Sequence, residues 1–166
     1  GVPVILTTRA EDRFKLTPDA LRAAITPHTK MLVLPFPSNP TGAIMTREEL
    51  AEIADILRNT DIVVLSDEIY AELTYGRKHT SIAALPDMKE RTVLVNGFSK
   101  AFAMTGWRLG MLAAPKPLIE QMLKIHQYAI MCAPTTSQLA AVEALRNGDG
   151  DIESMVAEYD RRRLYI

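Results

Sequence analysis

Apolar runs of strand length alternate along the chain with segments in which apolar residues recur at helical spacing. The runs predict five β-strands, at residues 2–7, 31–35, 62–66, 92–96 and 109–113. After Pro117 the apolar residues recur at helical spacing, which predicts helices over about 118–131, 135–146 and 152–165. This order of elements predicts one α/β domain with a mostly parallel sheet flanked by helices.

Two helix starts can be identified from their capping residues. Thr17 supplies a capping hydroxyl and Pro18 stands at the first helical position. Thr46 and Glu49 form a capping box, in which each side chain can bind the other residue's backbone N–H. The helix predicted over 46–58 buries one apolar stripe, made of Leu50, Ile53, Ala54 and Leu57. The strands on either side of it are apolar throughout, which predicts a sheet covered on both faces.

Composition narrows the class of protein. The chain has 166 residues, of which 48% are hydrophobic and 23% charged, and this balance excludes a disordered or low-complexity chain. The net charge of -1 gives no electrostatic reason to expect nucleic acid or an anionic membrane as a partner. Cys132 is the single cysteine and cannot form an internal disulfide, which predicts a cytoplasmic location. The three histidines lack metal-ligand spacing, so no metal site is predicted.

Residues capable of chemistry follow three of the predicted strands in turn. They are Ser38 and Asn39 after the second strand, Asp67 and Tyr70 after the third, and Ser99 and Lys100 after the fourth. In open α/β sheets, ligands bind in the crevice outside the carboxyl ends of the strands. The sequence therefore predicts a site at this end of the sheet.

The segment 96–110 reads N-G-F-S-K-A-F-A-M-T-G-W-R-L-G and contains Lys100. Together with N-P-T-G at 39–42 and S-D-E-I-Y at 66–70, in this order, it resembles the class I and II aminotransferases. These are pyridoxal-phosphate enzymes of the aspartate aminotransferase fold, and the resemblance covers nearly the whole chain. It implies that residues 1–166 are the central part of the cofactor-binding large domain. An N-terminal segment and a C-terminal small domain are expected outside this range.

The resemblance also implies roles for particular residues. Lys100 would hold pyridoxal 5'-phosphate as an imine and later move a proton at the substrate α-carbon. Asp67 would keep the pyridine nitrogen protonated, and Tyr70 would bind the 3′ oxygen of the cofactor. Asn39 would bind the same oxygen and approach the substrate carboxylate. Arg108 would bind the phosphate through its planar guanidinium.

Two further features of the resemblance concern single positions. Some members of the family carry a serine three residues before the lysine that contacts the phosphate, whereas this chain has Gly97. Ser99 is the hydroxyl that would take over part of this contact. A cis peptide bond is expected before Pro40. Glu68 and Glu72 are expected to be structural or solvated rather than catalytic.

The activity implied is transfer of an amino group from an α-amino acid to a 2-oxo acid, by a homodimer. Residues 1–166 alone are expected to be inactive, because the arginine for the substrate α-carboxylate and other parts of the site come from outside them. Two alternatives stay open. One is a carbon–sulfur lyase of the same fold, against which Tyr70 argues because such lyases tend to have histidine there. The other is a non-enzymatic ligand-sensing domain fused to a DNA-binding regulator. The amino donor is not specified by the sequence.

Overall fold

The structure is a computed structural model that describes residues 1–166, with four strands and five α-helices. The strands are β1 (Met31–Leu34), β2 (Val63–Asp67), β3 (Thr92–Gly97) and β4 (Gly110–Ala113). The helices are α1 (Pro18–Ala24), α2 (Arg47–Leu57), α3 (Lys116–Ala129), α4 (Thr135–Asn147) and α5 (Asp149–Tyr165). Four of the five predicted strands and all of the predicted helices are therefore present.

The four strands form one sheet in the order β1-β2-β3-β4. The first three strands are parallel and β4 runs antiparallel to β3, so the predicted, mostly parallel α/β architecture is confirmed. Helix α2 connects β1 to β2, as a β-α-β unit requires. The connection from β2 to β3 contains two short 3-10 turns, Ile82–Ala84 and Lys89–Arg91, and no α-helix.

Helix α2 begins and packs as its sequence predicts. The Glu49 backbone N–H donates to Thr46 Oγ1 at 3.3 Å, and the Thr46 N–H donates to Glu49 Oε2 at 2.7 Å. The apolar stripe of α2 is buried in the main core together with Leu32, Leu34 and Val64 of the sheet. Each such aliphatic side chain contributes about 1.5–3 kcal/mol when it is fully buried. This packing fixes the position of β1 and β2, whose carboxyl ends carry candidate site residues.

The strand predicted at residues 2–7 is wrong. Residues 1–9 have no regular secondary structure, and the side chains of Val2, Val4 and Ile5 are 91%, 70% and 81% exposed. A strand exists only when a neighbouring strand accepts and donates its backbone hydrogen bonds, and no strand of the sheet pairs with this segment. Apolar composition alone therefore misled the prediction.

The predicted burial of both faces of the sheet is also wrong for β1. Along β1, Leu32 and Leu34 are buried, whereas Met31 and Val33 are 51% and 58% exposed. The strand thus alternates, because α2 and the main core cover one face of β1 while its opposite face is open to solvent. None of the five helices has the length and apolar composition needed to cross a membrane.

Candidate active site

The predicted site residues leave the sheet at one end. Asp67 is the last residue of β2, and Lys100 follows shortly after the end of β3 at Gly97. Gly97 lies in register with Gly110, the first residue of β4, and Arg108 immediately precedes that strand. Because β4 is antiparallel to β3, its start lies beside the carboxyl end of β3, at the same edge of the sheet as the carboxyl end of β2. All three charged side chains therefore emanate from the edge where α/β sheets bind ligands.

Three of the predicted residues meet around one phenol ring. Asn39 Nδ2 donates a hydrogen bond to Tyr70 Oη at 3.2 Å. Lys100 Nζ lies 5.5 Å from the centre of the Tyr70 ring, within the range of a cation–π contact. The three residues come from three separate sequence motifs, after β1, β2 and β3. Their convergence on Tyr70 is the central geometric feature of the site.

The turn that carries Asn39 has a defined backbone. The Gly42 N–H donates to the Ser38 carbonyl at 2.8 Å, and Gly42 adopts φ +69°, which glycine adopts without strain. The peptide bond between Asn39 and Pro40 is cis, as expected, and so is the bond before Pro37. The turn presents the Asn39 amide, which is exposed, toward the end of β2.

Asp67 begins the turn that leads to Tyr70. Its carboxylate oxygen Oδ1 accepts a hydrogen bond from the Ile69 N–H at 3.2 Å. The Ala71 N–H then donates to the Glu68 carbonyl at 2.9 Å, which places Tyr70 inside a tight turn. The Asp67 side chain is only half-buried, so its second oxygen can bind an incoming N–H group.

The loop that contains Lys100 is anchored by apolar residues on either side of the lysine. Phe98 and Met104 are 4% and 8% exposed and pack with Ala141 of α4. The backbone N–H groups of Phe102 and Met104 both donate to the Phe98 carbonyl. The rings of Phe98 and Phe102 lie 5.5 Å apart. Lys100 is therefore partly exposed at the top of a loop whose two ends are fixed in a small core.

Two residues of this loop have unusual backbone conformations. Ala103 and Arg108 adopt φ of 52° and 53°, in the left-handed region that non-glycine residues rarely enter. Such residues cost about 1–2 kcal/mol each and concentrate at functional sites. Arg108 Nη1 donates to the Thr105 carbonyl at 2.8 Å, and Thr105 Oγ1 donates to the Ser99 carbonyl at 2.9 Å. Thr105, which the sequence analysis did not single out, thus links Arg108 to the residue beside Lys100.

The glycine that departs from the family pattern is explained by packing. A Cβ atom at Gly97 would lie 3.1 Å from Ile69 Cδ1, 3.2 Å from Gly110 Cα and 3.3 Å from the Leu109 carbonyl oxygen. Any side chain here would press on β4 and on the turn after β2. Ser99 is partly exposed, and its carbonyl takes part in the loop. Whether its hydroxyl binds phosphate stays a prediction.

A cavity of about 650 Å³ opens beside the Asn39–Tyr70 pair. Its far side is formed by α5, which contributes Tyr159 and Arg163. The Arg163 guanidinium lies 5.2 Å from the centre of the Tyr75 ring. Lys100, Asp67 and Arg108 do not line this cavity, so the structure brings only part of the predicted set to its wall.

Glu68 is a buried residue whose surroundings the sequence analysis missed. It is 3% exposed, so of the two expected roles, structural or solvated, the structure supports the structural one. Ser66 could have been identified as a neighbour, because it lies two residues earlier on the same strand face. The other partners, His79 and Ser81, lie far along the chain and carry no local signal.

Comparison with known proteins decides the family. The sequence pattern that defines the family "Aminotransferase class I and II" matches residues 1–166. The chain belongs to this family. It is 58% identical over 163 residues to YugH of Bacillus subtilis, and the match covers 98% of this chain and 42% of YugH. The name of that protein describes it provisionally as an aminotransferase and gives no substrate. It is 48% identical to an aspartate aminotransferase of Pyrococcus abyssi, over 100% of this chain and 43% of that protein.

The fold agrees with solved structures of the family. The aromatic aminotransferase from Pyrococcus horikoshii superimposes with a TM-score of 0.94 at 47% identity, over 98% of this chain and 44% of that structure. The chain thus spans less than half the length of the relatives it matches. Relatives named for aspartate and for aromatic substrates are equally similar, so overall identity does not select a substrate.

Proposed function

We propose that the full-length protein transfers an amino group from an α-amino acid to a 2-oxo acid, with pyridoxal 5'-phosphate as its cofactor. The observation that carries the proposal is the convergence of Asn39 and Lys100 on Tyr70. Around it, the sheet edge carries an amine, a carboxylate, an amide–phenol pair and a guanidinium. These groups fit the aldehyde, ring nitrogen, phenolic oxygen and phosphate of the cofactor. When bound, pyridoxal phosphate supplies an electron sink for bond cleavage at the substrate α-carbon.

Lys100 is proposed as the covalent attachment point and as the proton carrier. An amine is the side-chain group that condenses with an aldehyde, and Lys100 is partly exposed on an anchored loop. Once a substrate amine replaces it, the same nitrogen can accept and donate a proton at the α-carbon. The fixed loop ends at Phe98 and Met104 limit how far Nζ can move.

The other residues bind and orient. Asp67 can accept a hydrogen bond from the protonated ring nitrogen through its free oxygen, and this contact keeps the ring cationic. Tyr70 and Asn39 can both donate to the phenolic oxygen, which adds a second anchor. Arg108 retains free guanidinium N–H groups beyond the one bonded to Thr105, and these can bind a phosphate. Ser99 is the candidate for an additional phosphate contact.

The proposal extends to the assembly of the whole protein. We place residues 1–166 in the central part of the large domain, with an N-terminal segment and a small domain contributing the rest of the site. A homodimer is supported by large apolar side chains exposed on α3 and α4: Leu123, Ile125, Tyr128, Leu139 and Leu145. A cytoplasmic location, and the inactivity of residues 1–166 alone, stay predictions.

The test is an amino-exchange assay on the full-length protein with added pyridoxal phosphate. Aspartate, alanine and phenylalanine are offered as donors with 2-oxoglutarate as acceptor, and glutamate is measured. Lys100→Ala should abolish exchange, whereas Lys89→Ala, at an exposed position in the 3-10 turn before β3, should leave it unchanged. Pyruvate released from a cysteine conjugate without amino exchange would support the lyase instead. Cofactor binding without turnover of these donors, or of any other amine in a broad panel that includes N-acetyl-LL-diaminopimelate, would support the sensing domain.

A further inference from the structure

A second carboxylate lies directly behind the proposed cofactor site and has no role in the chemistry above. Glu68 follows Asp67 and is 3% exposed. Its Oε1 accepts hydrogen bonds from Ser66 Oγ at 2.9 Å and Ser81 Oγ at 2.7 Å, and its Oε2 lies 2.8 Å from His79 Nε2. A buried carboxylate is tolerated only when it is hydrogen-bonded or paired in this way.

The charge state of Glu68 follows from these contacts. Burial alone would raise the pKa of Glu68, but the hydrogen bonds from His79, Ser81 and Ser66, with the positive charge that His79 can carry, lower it below the ordinary value. The Nδ1 atom of His79 is buried without a partner. A single ring proton is therefore best placed on Nε2, where it is donated to Glu68.

The four residues close a loop at its base. Ser66 and Glu68 lie at the end of β2, whereas His79 and Ser81 lie at the far end of the loop that follows it. Between these two ends lies Tyr70. The hydrogen bonds inside this loop are local turn contacts, such as the one from the Leu73 N–H to the Tyr70 carbonyl at 2.9 Å. The side-chain hydrogen bonds of Glu68 join its two ends, and Ile82, the residue after Ser81, packs in the main core with Val64 of β2.

Glu68 cannot act on the cofactor directly. Successive residues of a strand point to opposite faces, and Ser66 and Glu68 share the buried face while Asp67 is on the other. The effect of Glu68 on the site must therefore pass through the position of the loop. The residue on that loop that contacts other candidate site residues is Tyr70, which is hydrogen-bonded to Asn39 and lies beside Lys100.

We infer that Glu68 is a positioning residue: with His79, Ser81 and Ser66 it closes the 68–81 loop and so holds the Tyr70 phenol at the site. The inference rests on the proposed function insofar as Tyr70 binds the cofactor. The loop closure itself is a property of the protein without cofactor. The two can therefore be tested separately.

The first test uses the full-length protein without cofactor and measures amide hydrogen exchange by mass spectrometry. Glu68→Gln replaces the oxygen that faces His79 by an NH₂ group, so the negative charge and the hydrogen bond that His79 Nε2 donates to it are both lost. Exchange in residues 69–80 should rise about tenfold, while exchange in β1 should not change. Glu49→Gln is the matched control, because Glu49 is also a hydrogen-bonded carboxylate with a lowered pKa but lies away from the loop. Unchanged exchange in residues 69–80 of Glu68→Gln would overturn the inference.

The second test measures the pH at which the absorbance of the bound cofactor changes. A phenol that donates to the phenolic oxygen stabilises its negative charge, so Tyr70→Phe should move this pH upward. Glu68→Gln should move it in the same direction, and should have no further effect in the Tyr70→Phe background. If Glu68→Gln does not fold, His79→Gln serves as the second variant for both tests. Additive shifts, or a shift of equal size in Glu49→Gln, would show that Glu68 does not act through Tyr70.

The two proposals fail in different ways. If the native protein binds no cofactor while Glu68→Gln still opens the loop, the proposed function is wrong and the loop closure stands. If the native protein binds cofactor through Lys100 and Glu68→Gln leaves both readouts unchanged, the positioning role is wrong and the proposed function stands.

Discussion

Gly148 joins α4 to α5 and touches the loop of the candidate lysine, which makes it a sharp test of the packing. A Cβ atom at this position would lie 2.6 Å from the Ala144 carbonyl oxygen and 3.1 Å from Phe102 Cε1. That carbonyl accepts the Gly148 N–H at 2.9 Å, so it cannot retreat without weakening its own hydrogen bond. Gly148→Ala should therefore distort the junction and push on Phe102.

Three contributions determine how much Gly148→Ala changes the free energy of unfolding. Overpacking costs about 1–3 kcal/mol. A weakened backbone hydrogen bond adds about 1 kcal/mol. Replacing glycine by alanine restricts the unfolded chain, which returns about 0.4–1 kcal/mol. Gly148→Ala should thus lower the free energy of unfolding by about 2 kcal/mol.

Urea denaturation of the full-length protein followed by circular dichroism measures this change, and Gly150→Ala is the matched control. Gly150 lies two residues later inside α5, and no atom lies within 4 Å of the Cβ position there. Its replacement should be neutral or stabilise the helix by up to about 1 kcal/mol. Equal stability of Gly148→Ala and the native protein, or an equal loss in Gly150→Ala, would refute the reasoning.

Three further predictions concern other buried contacts. Arg91 Nη1 donates to the Leu57 and Thr60 carbonyls at 2.7 and 2.6 Å, at the carboxyl end of α2. Arg91→Ala should lower the free energy of unfolding by about 2 kcal/mol in urea denaturation, and Arg91→Lys should lower it less. Equal losses in the two variants would contradict this. The lowered pKa of Glu68 contributes stability that is present above its ordinary value of 4.5 and is lost as the pH falls through its lowered pKa. The difference in unfolding free energy between the native protein and Glu68→Gln should accordingly shrink below that pH, and a difference that grows in acid would contradict the charged state. Lys15 Nζ lies 2.6 Å from Glu49 Oε1. Lys15→Met should therefore lower the midpoint of thermal unfolding at low salt, and lower it less at about 1 M salt, because salt screens the ion pair. An effect of equal size at both salt concentrations would contradict this.

Local sequence signals predicted much of the fold. The capping box at Thr46 and Glu49 and the stripe of α2 need only neighbouring residues, and both are present as expected. The segment 2–7 failed because strand formation depends on a partner strand, which apolar composition does not report. The open face of β1 has the same origin, since burial is decided by which other elements cover it.

The candidate site divides in the same way. Asn39, Tyr70 and Lys100 were selected from their motifs, and the structure places them in contact. The full set of contacts of Glu68 escaped because His79 and Ser81 become its neighbours only after the loop closes. Thr105 escaped because its role depends on the turn between Ser99 and Arg108. Residues whose function depends on pairing across a loop carry no periodic signal in the sequence.

The central claim is that Lys100 binds pyridoxal phosphate covalently in the full-length protein. The most direct measurement is reduction with borohydride after incubation with the cofactor, followed by peptide mass spectrometry, because reduction converts a carbonyl–lysine linkage into a stable adduct. We expect the adduct on the peptide that contains Lys100, with none on the peptide that contains the exposed Lys89. An intact, folded protein that carries no adduct, or carries it on another lysine, would contradict the account.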